Sequence, residues 1–103
     1  MIKTTRTFTR PSIDVPWHFE ELVENSEFES RLEYYFLNDK ILSRESYYSN
    51  DSLIITIVIY WDSEASMTEH FNDTMNVDYF SKRNTYNEFS NIVMSDLEIV
   101  NIL

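Results

Sequence analysis

Proton transfer near neutral pH would fall first to His18 and His70, the only two histidines of the chain. His70 follows Met67 by three residues and Ser66 by four, which puts all three on one side of a helix. There it is either a hydrogen-bonded packing residue or a general base. His18 stands in Trp17-His18-Phe19-Glu20-Glu21, as a pocket wall beside Trp17 or, with Glu21 three residues on, as half of a metal site. An ordinary exposed His–Glu pair is the simpler reading of that spacing. Arg6 and Arg44 are expected in the middle of strands, where an arginine needs an anionic partner. Glu45 and Glu98 on neighbouring strands could supply it. Alternatively, one of these arginines anchors the anionic group of a ligand whose apolar part lies among Phe8, Tyr47, Ile57 and Phe89.

Other chemistries are closed off by what is missing. There is no cysteine, which excludes disulfides, thiolate nucleophiles and Cys-ligated metals. Glycine is absent too, and with it the P-loop and the dinucleotide fingerprint, whose backbones approach phosphate only where no Cβ intervenes. Eighteen acidic residues against eight basic ones give a charge of −10, which repels nucleic acid and anionic lipid. Neither is expected as a partner. No apolar run reaches the roughly 18 residues of a membrane span, and MIKTTRTFTRPS lacks the apolar core of a secretory signal, so a cytoplasmic protein is expected.

These side chains need elements to position them. The 103 residues suffice for one domain with a single core, and 43% hydrophobic content, with 16% aromatic, places the chain in the globular class. Residues 2–10 read as a first strand with Ile2, Thr4, Arg6 and Phe8 on one face. Pro16 suits the first turn of a helix from Trp17 to about Asn25. The Ser26-x-x-Glu29 capping box restarts it, with Phe28, Leu32, Tyr35 and Phe36 as a buried stripe. Asn38-Asp39 ends that helix. Residues 40–48 and 53–61 follow as strands joined through Ser49-Asn50-Asp51-Ser52. The second of these is nearly all apolar, so it is central and covered on both faces. Asp62-Ser63 caps a further helical region that breaks near Asn72–Asn76 and runs to about Val93. Residues 96–103 form the last strand. With glycine missing, the turns fall to Asn and Asp, the next residues able to adopt left-handed backbone.

The order strand, helix, strand, strand, helix, strand predicts an α+β ferredoxin-like fold, βαββαβ, with a four-stranded antiparallel sheet and both helices on one face. The other face is left bare in a monomer. Its apolar central strand predicts burial against a second copy, hence a homodimer through the open sheet face.

The stretch Tyr60-Trp61-Asp62-Ser63-Glu64-Ala65, followed by His70-Phe71, resembles the antibiotic biosynthesis monooxygenase-type family. That family belongs to the dimeric α/β-barrel superfamily, in which two ferredoxin-like units pack sheet against sheet. Much of the stretch also has a structural reading. Trp61 seals the end of a buried strand, Ser63 caps a helix, Glu64 complements its dipole and Ala65 permits close packing. The chain departs from haem-degrading relatives, which combine a first-strand Asn, a Trp on this helix and a downstream iron-ligating His. Here the first strand offers Thr5, Thr7 and Thr9, His70 stands in the Trp position, and no histidine follows it. Haem is therefore disfavoured, and no cofactor or metal is expected. The aromatic content and the space between sheet and helices in such a fold point first to a binder of a small, largely apolar metabolite, fatty-acid-like or aromatic. Its expected contacts are Trp17, His18, Arg6, Arg44, Phe8, Tyr47, Tyr60 and Trp61. The second reading is a cofactor-independent monooxygenase-like enzyme with His70 as general base, and the third a module whose function is dimerisation.

Overall fold

The computed structural model describes residues 1–22 and 26–102, apart from the side chain of Ser26. The Ser26 capping box, the end of the first expected helix and the last residue of the final expected strand lie outside them. The elements are β1 (Ile2–Thr9), α1 (His18–Glu21), α2 (Ser26–Leu37), β2 (Ile41–Tyr48), β3 (Ile54–Trp61), α3 (Glu64–Asn72), α4 (Thr74–Phe89), β4 (Val93–Met94) and β5 (Glu98–Asn101). Strand order is β2-β3-β1-β4, with β5 also on β1, and every pairing is antiparallel. This is the ferredoxin-like α+β arrangement, its last strand split in two. Among the described residues, no helix is long and apolar enough to cross a membrane.

The split has a local cause. Phe8 pairs with Met94 and Thr5 with Glu98, so Ser95, Asp96 and Leu97 stand opposite only Arg6 and Thr7. One extra residue makes a bulge. Ser95 anchors it, donating N–H to the Thr7 carbonyl (2.9 Å) and accepting the Thr7 N–H on its hydroxyl (2.9 Å). Val93 and Met94 thereby join the sheet ahead of the expected start at residue 96.

The turns work without glycine. Asp39, Ser52 and Asn91 take the left-handed backbone at φ 55°, 60° and 58°. Asp39 ends α2, and Asn91 follows the C-terminus of α4. Asp51 Oδ1 accepts from the Ser49 hydroxyl (2.6 Å) and the Leu53 N–H (3.0 Å), which closes the β2–β3 turn with side-chain oxygens. Ser63 caps α3 as expected, its hydroxyl accepting the Ser66 N–H at 3.2 Å. The break between α3 and α4 is the single residue Asp73, which caps α4 through the Met75 N–H (3.0 Å). Its Oδ2 also holds Arg31 (2.7 Å) and the Tyr35 hydroxyl (2.8 Å), tying α2 to the α3–α4 junction.

The helix-covered face of the sheet carries Ile2, Thr4, Arg6 and Phe8 of β1 opposite Trp61, Ile59, Ile57 and Ile55 of β3. Core forms at its two ends. Ile2, Tyr35, Ile41, Ile59, Trp61 and Met67 make one cluster; Phe8, Trp17, Ile55 and Ile92 make the other. Between them β1 presents Thr4 and Arg6, and β2 presents Arg44, so the apolar packing is interrupted mid-sheet except at Ile57, which touches both clusters. The stripe expected on α2 is narrower than its spacing implied: Tyr35 is fully buried, but Phe36 is 40% exposed. Among the described residues, no helix lies over the opposite sheet face, which carries Thr5, Thr7, Thr56, Val58 and Tyr60.

Candidate functional site

The gap between the two clusters is a cavity of about 60 Å³, lined by buried Thr4, Ile59 and His70 and by Arg6, His18, Arg44 and Arg83 among others. A groove of about 290 Å³ adjoins it, bordered by Phe19, Glu29, Ser46 and Tyr48. His18, Phe28, Leu32, Arg44, Ile57 and Tyr79 line both spaces. Both histidines therefore face one cavity, His18 from α1 and His70 from α3. Their convergence is a product of the fold, because 52 positions separate them in the chain.

His70 is 2% exposed and ringed by Trp61, Tyr35 and Phe71, each 5.1 Å away between ring centroids. Asn76 Nδ2 stands 3.1 Å from the His70 backbone carbonyl and 3.2 Å from His70 Nδ1. A carbonyl can only accept, so it orients the Asn76 amide as a donor, and the same amide nitrogen then donates to Nδ1. Neutral His70 consequently carries its proton on Nε2. Burial, reinforced by Arg44 and opposed by Asp73, pushes its pKa down to about 4. This is a neutral imidazole with an N–H to offer.

His18 is 4% exposed and packs against Phe8 at 4.8 Å and Phe19 at 5.4 Å between centroids. Its Nδ1 is buried without a hydrogen-bond partner. Burial first, then Arg83 and Arg44, lower its pKa to about 4. Glu21 is exposed while His18 is buried, so the pair does not present a joint chelate. Among the described residues no three His, Cys, Asp or Glu side chains converge as a metal site.

The arginines lack the carboxylates expected for them. Glu45 pairs in register with Val58 and Glu98 with Thr5, on the opposite face of the sheet from Arg6 and Arg44. Glu45 instead accepts a hydrogen bond from the Tyr47 hydroxyl. Arg6 Nη1 reaches only Met94 Sδ at 3.6 Å, and its Nε is buried unpartnered. Burial lowers its pKa, offset in part by Asp96 at longer range. Arg44 keeps one side open to solvent, while the surrounding sheet and helices desolvate it enough to lower its pKa. Arg83 lies over the rings of Phe80 (4.8 Å) and Phe8 (5.7 Å) and donates to Asn84 Oδ1 at 3.2 Å. Burial and repulsion from Arg6 bring its pKa down to about 10. Among the described residues, none of the three forms an ion pair.

Of the expected contacts, Arg6, Arg44, Phe8, His18 and His70 line the cavity, as does Ile57. Tyr60 and Tyr47 do not. Strand alternation puts both on the open face, where Lys3 sits 5.9 Å over the Tyr60 ring. Trp17 is sealed in the second core cluster under the Arg10 guanidinium (4.5 Å). Trp61 is fully buried, and its indole N–H donates to Thr4 Oγ1 at 3.0 Å, the structural role its position implied. Phe89 is 88% exposed and cannot line the cavity.

Tyr79, Phe80 and Arg83 of α4, with Phe28 and Leu32 of α2, were not anticipated as site residues. The buried side of α4 runs through Asn76, Tyr79 and Asn87, so polar residues occupy the helical spacing that apolar ones normally mark. A tally of helical spacing that admitted Asn and Arg would have found Arg83.

No protein-family model matches the sequence, and no curated protein matches it. Solved structures do match in fold. Rv0793 from Mycobacterium tuberculosis superposes over 100% of this chain and 96% of that one, with a TM-score of 0.61 at 14% identity. SnoaB, a cofactor-independent oxygenase from Streptomyces nogalater, gives 99% and 92%, 0.62 and 9%. An antibiotic biosynthesis monooxygenase gives 100% and 99%, 0.58 and 12%. The architecture expected from the Tyr60–Phe71 stretch is thus that of solved antibiotic biosynthesis monooxygenase-type structures.

Proposed function

We propose that the protein is a homodimer that binds a small, largely apolar molecule between sheet and helices, with its polar end in the cavity beside His18, His70 and the arginines. The observation that carries this reading is the interrupted core. A chain of this size gains stability by filling its interior, yet here two apolar clusters are separated by a void lined with two histidines and three arginines. The groove of about 290 Å³ gives the apolar part a place at the lower end of ordinary ligand-site volumes. Native mass spectrometry of protein purified from two expression hosts tests the reading. Co-purified small molecules of one chemical type support it; clean apo protein from both hosts counts against it.

Dimerisation through the open sheet face would cover Val58 and its neighbours and leave the cavity on the outer side. Light scattering at micromolar concentration should give twice the chain mass, and Thr56→Lys should return it to one. A wild-type monomer under those conditions refutes this part.

The enzymatic alternative draws on the shared fold with SnoaB. In it the cavity would stabilise a substrate oxyanion during cofactor-independent oxygenation. The Asn76 contact bears on the division of roles. With Nδ1 occupied and Nε2 protonated, His70 is better suited to donate to that oxyanion than to serve as the general base expected from sequence. Oxygen uptake with a naphthohydroquinone, above the uncatalysed background and lost in His70→Ala, would favour this alternative over simple binding.

A further inference from the structure

We infer that the ligand of this cavity is an anion, a molecule whose single carboxylate enters the space between Arg6, Arg44 and Arg83 while its apolar body occupies the adjoining groove. This rests on the binding reading above and names the chemical class that reading leaves open.

Charge is the first argument. The chain carries −10 overall, yet the described side chains that meet in this cavity include three guanidinium groups and no carboxylate. Glu29 stands only at the groove, and Asp96 acts on Arg6 from longer range. An ion pair from any of the three within the described chain is lacking. Cations partly drawn out of water without a counter-charge, as Arg6 and Arg83 are, carry a cost, and replacing them with apolar residues is often neutral or stabilising. A chain with 18 acidic residues had carboxylates to spare for the task. None of the described ones lines the cavity, so the counter-charge is assigned to the ligand.

Unsatisfied hydrogen bonding is the second argument, and it is independent of net charge. Arg6 Nε and His18 Nδ1 are buried in the cavity wall without partners, and His18 is 4% exposed. Groups buried this way ordinarily have a partner. Arg6 Nε is a donor, His70 carries its N–H on Nε2, and His18 Nδ1 donates or accepts according to its tautomer, so the fixed demand of the wall is for acceptors.

Size completes the assignment. The cavity, at about 60 Å³, is the smaller of the two spaces and suits a carboxylate, whose plane also matches the fork of a guanidinium. The adjoining groove, at about 290 Å³, has the room for rings or a chain, against Phe28, Leu32 and Ile57.

The test compares two probes of nearly equal shape, 2-naphthoate and 2-naphthylmethanol, titrated by calorimetry into the wild-type protein at pH 7.5. The acid is expected to bind about 10- to 100-fold more tightly than the alcohol, the range for hydrogen bonds to a charged group. Arg44→Gln, at an exposed position where folding is not at risk, should remove most of that preference by weakening the acid far more than the alcohol; Arg83→Met should do the same. If the alcohol binds as tightly as the acid, or if both arginine variants keep the preference, the anion assignment is overturned while the binding reading stands. If neither probe nor a second matched pair, decanoate and 1-decanol, binds at millimolar concentration, the binding reading fails and takes the assignment with it.

Discussion

Acidification from pH 7.5 to 5.0 should destabilise the protein by about 2 kcal/mol for each of its two buried histidines. Both rings titrate near 4 in the folded state, set first by burial and then by the neighbouring arginines, against 6.5 when unfolded. As pH falls below 6.5, the unfolded chain takes up nearly one proton per histidine and the folded chain almost none. Unfolding therefore binds protons in this interval. Stability is complete above pH 6.5, declines as pH falls, and levels off only below about 4. Across the 2.5 units from 7.5 to 5.0 the two sites together account for about 4 kcal/mol, a large share of the 5–15 kcal/mol typical of a folded domain. Carboxylates contribute little there. Asp73, held below the ordinary carboxylate range by its Tyr35, Met75 and Arg31 hydrogen bonds despite partial burial, releases its stabilisation only at lower pH. Urea unfolding followed by tryptophan fluorescence at pH 7.5, 6.5, 5.5 and 5.0 measures the effect and stops short of the range where the acidic surface loses its charge. His18→Gln and His70→Gln should each flatten the profile by about half, and the double variant should be nearly level. A wild-type change below about 1 kcal/mol, or an undiminished slope in the double variant, would show that the histidines are not held neutral by the cavity.

Two further expectations concern the supports of the site. Asp73→Ala removes the α4 cap and the partner of Arg31 and the Tyr35 hydroxyl, so it should cost about 2–4 kcal/mol in urea unfolding, with Asp73→Asn intermediate because it keeps a capping oxygen. Trp61→Phe should cost about 1–3 kcal/mol by losing ring volume and leaving Thr4 Oγ1 unpaired; Thr4→Val in the same background should cost less than it does in wild type, giving a double-mutant coupling near 1 kcal/mol.

Much of the architecture is legible in local chemistry. β3 is largely apolar on both faces, and it is one of the two strands, with β1, flanked on both sides. Ser63 and Asp73 sit at helix starts because their side-chain oxygens can accept backbone N–H groups there. Asp39 and Asn91 take left-handed turns because no glycine competes for them. The split of the last strand was less legible. The bulge at Ser95–Leu97 depends on what lies opposite in β1, and short strands carry little periodic signal of their own.

The site divides along the same line. Sequence alone marked His18, His70, Arg6, Arg44 and Phe8 as residues whose types and positions need explaining, since a strand centre or a helix face seldom holds them without a reason. It also determined the ferredoxin-like order of elements and excluded thiolate, P-loop and dinucleotide chemistry by composition. Only the tertiary structure decided which of these residues meet. Strand alternation turned Tyr47 and Tyr60 to the open face, packing closed over Trp17 and Trp61, and α4 brought Arg83 to join two other arginines. The pairings of Arg6 and Arg44 with Glu45 and Glu98 were plausible from proximity in the sheet. They are absent because a one-residue offset in a strand reverses the face a side chain occupies, and that parity is set by register across the sheet.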